Sequence, residues 1–353
     1  MNIININIAG KKKLPSLNEL SREISVTAKE SRFITNSRKC VKDHLLGQML
    51  PKRILAIIGP CSVHNVEEAY EYAVRLSKLS KKVGDKITIL MRVCGDKPRT
   101  RKDWEGFMKD PHLDGSFDMA YGFKEMRKLM LSIVKLGIPI ATEALHRTQF
   151  NVISDLVSYA WIGARTIADP EKRAMASGLT MPVGMKNPDH GPLSIAINAI
   201  DYARHPGVFD GPDENNVLSI IETSGNKYAH LILRGSSSGQ NYDSDSIKQA
   251  CKALEESNLI NRVMIDCSHG NSNGDYLNQI KVANSLTDQI ITQGNKIVGF
   301  MIESYLKGGK QDGKKIGTKE CPKIKSGLSV TDACLSWEDT EKLILGIYKR
   351  LKS

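Results

Sequence analysis

Residues 54–61 read Ile-Leu-Ala-Ile-Ile-Gly-Pro-Cys, a short apolar run that ends in a turn and a thiol. Apolar residues at every position, and not at every second one, are typical of a strand that a parallel sheet buries on both faces. Gly59 and Pro60 end the run, and the following Cys61 presents a possible metal ligand on a turn. This stretch predicts the first strand of a parallel α/β fold.

Seven further apolar runs repeat this pattern, and each is followed by a residue that can bind a metal or an anion. They are Ile87–Met91 before Arg92, Ile138–Thr142 before Glu143, Tyr159–Gly163 before Arg165, Pro182–Met185 before Lys186, His230–Leu233 before Arg234, Val263–Asp266 before Ser268-His269, and Ile297–Ile302 before Glu303. Stretches with helical spacing lie between or after them, namely Glu67–Leu79, Lys124–Val134, Ser246–Leu254 and Trp337–Leu351. Eight buried strands with room for helices predict a closed (β/α)8 TIM barrel, whose chemistry sits at the C-terminal strand ends.

The 353 residues exceed the ~250 of a typical barrel, so the chain has room for an extension. We assign residues 54–353 to the barrel, which is expected to be catalytic, and residues 1–53 to an N-terminal extension with an expected role in oligomer contact or regulation. Ile3, Ile4, Ile6 and Ile8 could pair as an edge strand. We expect an irregular surface excursion over His205–Asn216, which contains two glycines and two prolines, and a long mobile loop over Leu306–Ser326.

Composition excludes several classes of protein. No apolar stretch approaches the ~18 residues of a membrane span, and the N-terminus lacks the pattern of a signal peptide. Seven scattered cysteines are typical of reduced thiols in a cytoplasmic protein. The net charge of +11 raises the question of nucleic-acid binding, but the basic residues form no dense stripe and no nucleic-acid motif is present. A basic surface with an anion-binding pocket is the better interpretation.

Four residues form a candidate metal site. Cys61, His269 and Glu303 follow strands one, seven and eight, which are neighbours around a closed barrel, and Asp332 comes after strand eight. One thiolate, one imidazole and two carboxylates suit a divalent first-row metal such as Mn, Fe, Co or Zn. The alternative is that Cys61 is a small packed residue, which is common for free cysteines.

Cations that follow buried strands form a candidate anion site. They come from four strand ends that face one mouth of the barrel, and a barrel core has no need of them. Arginine binds phosphate and carboxylate bidentately, and lysine adds a point charge, so this pattern predicts substrates that carry both groups. The residues are Arg92, Lys97, Arg99, Arg165, Lys186 and Arg234.

Longer motifs run in order along the chain. They are GPCSVH at Gly59–His64, KPRT at Lys97–Thr100, DPHLDGSF at Asp110–Phe117, GART at Gly163–Thr166, PVGMKN at Pro182–Asn187, LILRG at Leu231–Gly235, DCSHGNS at Asp266–Ser272 and TDAC with WEDT within Thr331–Thr340. From about residue 30 onward the chain resembles the type I 3-deoxy-arabino-heptulosonate-7-phosphate (DAHP) synthases of the microbial branch regulated by aromatic amino acids. The resemblance implies condensation of phosphoenolpyruvate with erythrose 4-phosphate and water, the first step of the shikimate pathway.

The resemblance also implies roles for the residues at the strand ends. It assigns the metal to Cys61, His269, Glu303 and Asp332, and phosphoenolpyruvate to Arg92, Lys97, Arg165, Lys186 and Arg234. It lays Pro98, Arg99 and Thr100 along the aldose phosphate. Lys97 reaches both substrates and is the candidate proton donor, so the expected catalytic residues are Lys97, Cys61 and His269.

The chain departs from the family pattern in three places, at Ala168–Pro170, Thr142–His146 and Val208–Leu218. In regulated members the last two regions contribute to the pocket for the inhibitory aromatic amino acid. We therefore expect a divergent paralog whose feedback control is lost or altered. Two other functions stay open: a sister enzyme that condenses another aldose phosphate, against which KPRT argues, and a non-catalytic metal- or anion-binding paralog. A homodimer or homotetramer is expected.

Overall fold

The computed structural model describes residues 7–49, 53–294, 296–312 and 324–352. Within them, eight parallel strands form a closed barrel. The barrel strands are β1 (Ile54–Gly59), β2 (Ile87–Arg92), β3 (Ile140–Glu143), β4 (Tyr159–Ile162), β5 (Val183–Lys186), β8 (His230–Leu233), β9 (Val263–Asp266) and β10 (Ile297–Glu303). Around the barrel they follow the order β1-β10-β9-β8-β5-β4-β3-β2. The predicted (β/α)8 fold is confirmed, and each of the eight apolar runs contributes one barrel strand.

Helices alternate with the strands and cover the outside of the barrel. They are α3 (Val66–Val83), α4 (Met119–Lys135), α5 (Arg147–Asn151), α6 (Pro170–Gly178), α7 (Ser194–Arg204), α8 (Ser244–Glu256), α9 (Asn278–Gln293) and α10 (Trp337–Lys352). Side-chain caps begin several of them. The Asn65 side chain accepts from the Glu68 N–H at the start of α3, and the Ser336 hydroxyl accepts from the Asp339 N–H at the start of α10. No helix of the described residues combines the length and apolar content needed to span a bilayer.

Strand alternation divides the barrel side chains into two sets. One set faces the helices, and the other fills the interior with residues such as Leu55, Leu90, Tyr159 and Ile232. Every second side chain continues to point inward up to the C-terminal ends of the strands, and the inward side chains at those ends are charged. The inward residues at the C-terminal ends are therefore Arg92, Glu143, Lys186, Asp266 and Glu303.

The N-terminal extension packs against the barrel through α1 (Leu17–Glu23) and α2 (Ala28–Leu45). Val41 and Leu45 of α2 belong to the cluster that fills the barrel interior, so α2 closes the end opposite the site. A buried guanidinium fastens α1, because Arg127 of α4 donates to the Ile24 carbonyl at 3.2 Å and to the Ser21 hydroxyl at 3.1 Å. The predicted edge strand falls mostly on residues 1–6, outside the described residues.

The prediction of an irregular excursion over His205–Asn216 is wrong. Gly207–Pro212 (β6) and Leu218–Thr223 (β7) form a two-stranded antiparallel hairpin. Its proline occupies the last paired position, opposite Leu218, where a missing N–H does not break the ladder. Asn216, with φ of 63°, closes the turn.

The predicted mobile loop over Leu306–Ser326 lies partly outside the described residues, which omit 313–323. Its described ends pair with one another: the Lys307 N–H donates to the Gly327 carbonyl at 2.9 Å, and the Gln311 side chain donates to the Lys325 carbonyl at 2.9 Å. This pairing holds both ends of the segment at the C-terminal side of β10.

Candidate active site

A polar cavity opens at the C-terminal ends of the barrel strands. Strands and the loops directly after them supply its walls, as expected for a barrel of this type. Its lining includes Arg92, Lys97, Pro98, Arg99, Glu143, Gly163, Ala164, Arg165, Lys186, Asp189, Arg234, His269 and Asp332. The structure therefore brings six predicted cations together at one site.

Three of the four predicted metal ligands form a compact group at one side of this cavity. One donor atom from each of Cys61, Glu303 and Asp332 lies within 4.8 Å of the other two. The Cys61 thiol is 3.5 Å from an Asp332 carboxylate oxygen. Cys61 and Glu303 are buried, whereas Asp332 is exposed to the cavity. The arrangement leaves one side of the group open, as a catalytic metal site requires.

His269, the fourth predicted ligand, stands beside this group and not within it. Its Nε2 atom is 3.9 Å from a Glu303 oxygen. Its Nδ1 atom is 3.0 Å from Asp266 and 2.8 Å from the Ser268 hydroxyl. Metal-binding histidines typically use one ring nitrogen for such an anchor and leave the other for the metal. The anchored Nδ1 thus leaves Nε2 on the side of the ring that faces Glu303, one member of the group.

Electrostatics at the group favour a bound cation. Burial, together with the nearby Glu303 carboxylate, raises the pKa of the Cys61 thiol to about 12. An oxygen of Glu303 is buried and accepts no hydrogen bond of normal geometry from the described residues, although Arg92 lies 2.9 Å from it. Desolvation would raise the pKa of Asp332, but the charges of Lys97 and His269 lower it to about 2. A divalent metal would stabilise the thiolate and complete the coordination of Glu303, so the donor set fits one.

Backbone carbonyls at the end of β1 hold two of the cations. Arg92 donates to the Pro60 carbonyl at 3.1 Å and to the Cys61 carbonyl at 3.2 Å. Lys97 donates to the same Cys61 carbonyl at 2.8 Å. Burial would lower the pKa of Lys97, but the acidic groups of Cys61 and Glu303 raise it above its ordinary value. Lys97 is therefore an ammonium group between the candidate metal ligands and the other cations.

Carboxylates and carbonyls orient the remaining cations. Lys186 forms a buried ion pair with Asp266, and Arg234 pairs with Asp189. Burial would raise the pKa of Asp266, but Lys186 and His269 hold it well below its ordinary value. On the loop after β4, the strand next to β5, Arg165 donates to the Pro98 carbonyl at 3.2 Å. Asp266 therefore positions a candidate substrate cation and a candidate metal ligand at once.

The charges of the lining do not cancel. Six arginine and lysine side chains face three carboxylates, those of Glu143, Asp189 and Asp332. An excess of fixed cations in a poorly solvated cavity is a binding site for a highly charged anion. Thr100 is the exception among the predicted substrate residues, because it is exposed on the same loop as Arg99 but is not part of the cavity lining.

Several residues that shape the site were assigned to neither the candidate metal site nor the candidate anion site in the sequence analysis. Asp266 and Asp189 support cations, and Glu143 faces the cavity with a buried oxygen that accepts no hydrogen bond from the described residues. Asp96, just before Lys97, is buried, and one of its oxygens has no hydrogen-bond partner in the part of the chain that the structure describes. Glu143 and Asp266 each end an apolar run, so their position was visible in the sequence although their partners were not.

Comparisons with known proteins agree with this geometry. The sequence model of the DAHP synthetase I family matches residues 36–344. The Tyr-sensitive phospho-2-dehydro-3-deoxyheptonate aldolase of Escherichia coli K12 is 40% identical over 347 residues, covering 98% of this chain and 96% of the relative. The tyrosine-inhibited enzyme of Schizosaccharomyces pombe is 40% identical over 326 residues, covering 92% and 87%.

A solved structure with a similar fold supports the sequence comparisons. The phospho-2-dehydro-3-deoxyheptonate aldolase of Francisella tularensis SCHU S4 superposes with a TM-score of 0.93 at 34% identity, covering 98% of this chain and 99% of that one. Sequence match, fold and the residues at the strand ends lead to one conclusion. The chain belongs to the DAHP synthetase I family.

Proposed function

We propose that this chain condenses phosphoenolpyruvate with erythrose 4-phosphate and water, giving DAHP and phosphate. This reaction is the first step of the shikimate pathway, and membership of the family supports it. The observation that carries the proposal is one cavity with six cations beside a Cys, Glu and Asp donor group. Such a cavity suits two phosphorylated substrates, one of which also has a carboxylate and the other an aldehyde.

In this proposal the cations bind phosphoenolpyruvate and align it. Arg92, Arg165, Lys186 and Arg234 hold its phosphate and carboxylate, and Lys97 lies between them and the metal ligands. Their partners Glu303, Asp266 and Asp189 restrict their side chains before the substrate arrives. Fixed cations lower the barrier because they offset the repulsion of a multiply charged substrate and place its C3 atom at the aldehyde.

We propose that Cys61, His269, Glu303 and Asp332 hold a divalent metal, which is Mn, Fe, Co or Zn. When bound there, the metal supplies a Lewis acid for the aldehyde oxygen. Support comes from the short separations within the donor group and from the anchored Nδ1 of His269. A buried Glu303 oxygen that accepts no hydrogen bond of normal geometry from the described residues adds to it.

Lys97 is the proposed proton donor in the condensation. Its ammonium group lies 2.8 Å from the Cys61 carbonyl, so it stands next to the donor group and also faces the cavity. From there it can protonate the oxygen that becomes negative as the new carbon–carbon bond forms. Pro98, Arg99 and Thr100 continue the same loop, and we assign them to erythrose 4-phosphate.

A substrate comparison tests this function against its two rivals. Purified protein is assayed for phosphate release from phosphoenolpyruvate with erythrose 4-phosphate or with arabinose 5-phosphate, a five-carbon aldose phosphate. The proposal predicts release that needs erythrose 4-phosphate. Preference for the five-carbon sugar would indicate the sister condensation, and no release with either would indicate a non-catalytic paralog.

We also propose that the protein forms a homodimer or homotetramer in the cytoplasm. The outer face of the β6–β7 hairpin exposes three large apolar side chains, Val208 at 63%, Leu218 at 75% and Ile220 at 78%. A second copy that covers this face would remove that surface from water. The N-terminal extension adjoins the hairpin, since the Asn18 N–H donates to the Glu214 carbonyl at 3.0 Å, which supports a subunit contact for residues 1–53. Free thiols at the described cysteines suit a reducing compartment.

A further inference from the structure

Trp161 lies in the barrel interior directly below the cavity. It belongs to β4, is only 1% exposed and is part of the cluster that fills the barrel. Its partner on β5 is Gly184, two residues before Lys186. The next inward position is Gly163, just after β4, and the Glu143 carboxylate lies in the space that a side chain there would fill. The indole ring therefore packs directly beneath the inward side chains at the strand ends, which line the bottom of the cavity.

Two of the cavity cations stand over this ring. The Arg92 guanidinium carbon is 5.0 Å from the ring centroid, and the Lys186 ammonium nitrogen is 5.6 Å from it. Both distances are within the ~6 Å over which a cation is attracted to an aromatic face. Arg92 and Lys186 are 3% and 4% exposed, so water screens these attractions little.

The two cations also have carboxylate partners on different strands. Arg92 lies 2.9 Å from Glu303, and Lys186 pairs with Asp266. Each carboxylate pulls its cation toward its own strand and cancels part of its charge. The indole attracts both cations toward one point and adds no negative charge, so their capacity to bind an anion is kept.

We propose that Trp161 is a positioning residue for phosphoenolpyruvate, whose indole face fixes the spacing of Arg92 and Lys186. This role rests on the proposed function only for the identity of the anion. The aromatic face sets the affinity for phosphoenolpyruvate and leaves that for erythrose 4-phosphate unchanged, because neither cation is assigned to the sugar.

A matched pair of variants tests the role of the aromatic face. Trp161→Phe and Trp161→Leu both shorten the side chain, but only phenylalanine keeps a π face. Calorimetric titration with phosphoenolpyruvate should show a loss on the order of tenfold or more for the leucine variant and much less for the phenylalanine variant. The KM for erythrose 4-phosphate should be similar in both, as should the melting temperature. Equal affinity of the two variants for phosphoenolpyruvate would overturn the proposal.

Fluorinated tryptophan gives a second test that keeps the side-chain shape. Fluorine withdraws electrons from the indole face and weakens its attraction for cations. Affinity for phosphoenolpyruvate should fall stepwise with the number of fluorine atoms in the natural sequence. Fluorinated tryptophan at Trp104 and Trp337, the two tryptophans that remain in Trp161→Phe protein, should leave the affinity for phosphoenolpyruvate unchanged. An affinity for phosphoenolpyruvate that does not change with the number of fluorine atoms in the natural sequence would refute the role of Trp161.

These tests separate the inference from the proposed function because binding is measured without turnover. If the protein binds phosphoenolpyruvate with the expected difference between variants but makes no DAHP, the role of Trp161 stands and the reaction is wrong. If it makes DAHP while both variants bind equally, the reaction stands and the role of Trp161 is wrong. Absence of phosphoenolpyruvate binding in the natural sequence would overturn both.

Discussion

Replacement of Asp96 by asparagine should change how the stability of the fold depends on pH. Asp96 is 7% exposed, and one of its oxygens has no hydrogen-bond partner among the described residues. Burial raises its pKa from 3.8 to about 8, Lys109 lowers it, and Glu143 adds to the rise. The folded protein therefore binds a proton at Asp96 that the unfolded chain releases near pH 4.

The sign and size of the effect follow from that difference. Between about pH 4 and about pH 8 the folded state holds more protons, so the free energy of unfolding falls as pH rises. Each pKa unit corresponds to about 1.36 kcal/mol, so the full loss is on the order of 5 kcal/mol. Asparagine keeps the shape of the side chain without an ionisable group. The difference in unfolding free energy, Asp96→Asn minus natural sequence, should grow in favour of the variant from pH 5 to pH 8.

Urea unfolding at several pH values measures this difference. Asp245→Asn is the matched control, because Asp245 is an exposed carboxylate on α8 with 84% of its side chain in water. In the control, the unfolding free energy should fall with rising pH as steeply as in the natural sequence. In Asp96→Asn it should fall less steeply. A variant with the same pH dependence as the natural sequence would refute the argument that Asp96 is buried as a neutral acid.

Four other outcomes are expected. Cys61→Ala should lose both its bound metal, measured by elemental analysis, and its turnover, because even residues that only support a metal ligand change metal affinity about 10–100-fold. Its melting temperature should change little, and a variant that keeps both metal and turnover would contradict the metal assignment. Lys97→Ala should lose on the order of a hundredfold or more in maximal rate and far less in KM, whereas weaker binding alone would exclude a proton donor. Phenylalanine, tyrosine and tryptophan should inhibit DAHP formation little. The reason is that the Arg147 guanidinium lies 4.1 Å from the Phe209 ring centroid in the cavity beside the hairpin and covers that ring. Strong inhibition by any of the three at micromolar concentration would contradict this. Ile220→Asp should shift the protein to a smaller species in light scattering, and an unchanged mass would remove the hairpin from the interface.

The barrel could be predicted because its strands are apolar at every position. Burial on both faces leaves no alternation, and the polar residue at each strand end marks where the burial stops. The hairpin could not be recognised in the same way. Gly207, Gly211 and Pro212 interrupt its first strand, and its second strand keeps an apolar outer face at Leu218 and Ile220. Those outward apolar residues hide the alternation that a strand exposed to water would show.

The site was anticipated at its charged positions and missed where the role depends on a neighbour. Arg92 and Lys186 stand out because a cation after an apolar run is unusual. Asp266 reads as an ordinary strand end, and only the fold places it between Lys186 and His269. Trp161 reads as one more apolar residue of β4, since nothing in the sequence indicates that two cations lie over its ring.

The proposal of a metal-assisted condensation is tested most directly by removing and restoring the metal. Protein treated with a chelator and then freed of it is assayed for DAHP formation from phosphoenolpyruvate and erythrose 4-phosphate, before and after Mn, Fe, Co or Zn is added back. The structure leads us to expect no DAHP from the metal-free protein and recovery with at least one of these metals, because the Cys61, Glu303 and Asp332 donors converge beside the cavity. Full DAHP formation by protein shown to be metal-free would contradict the account.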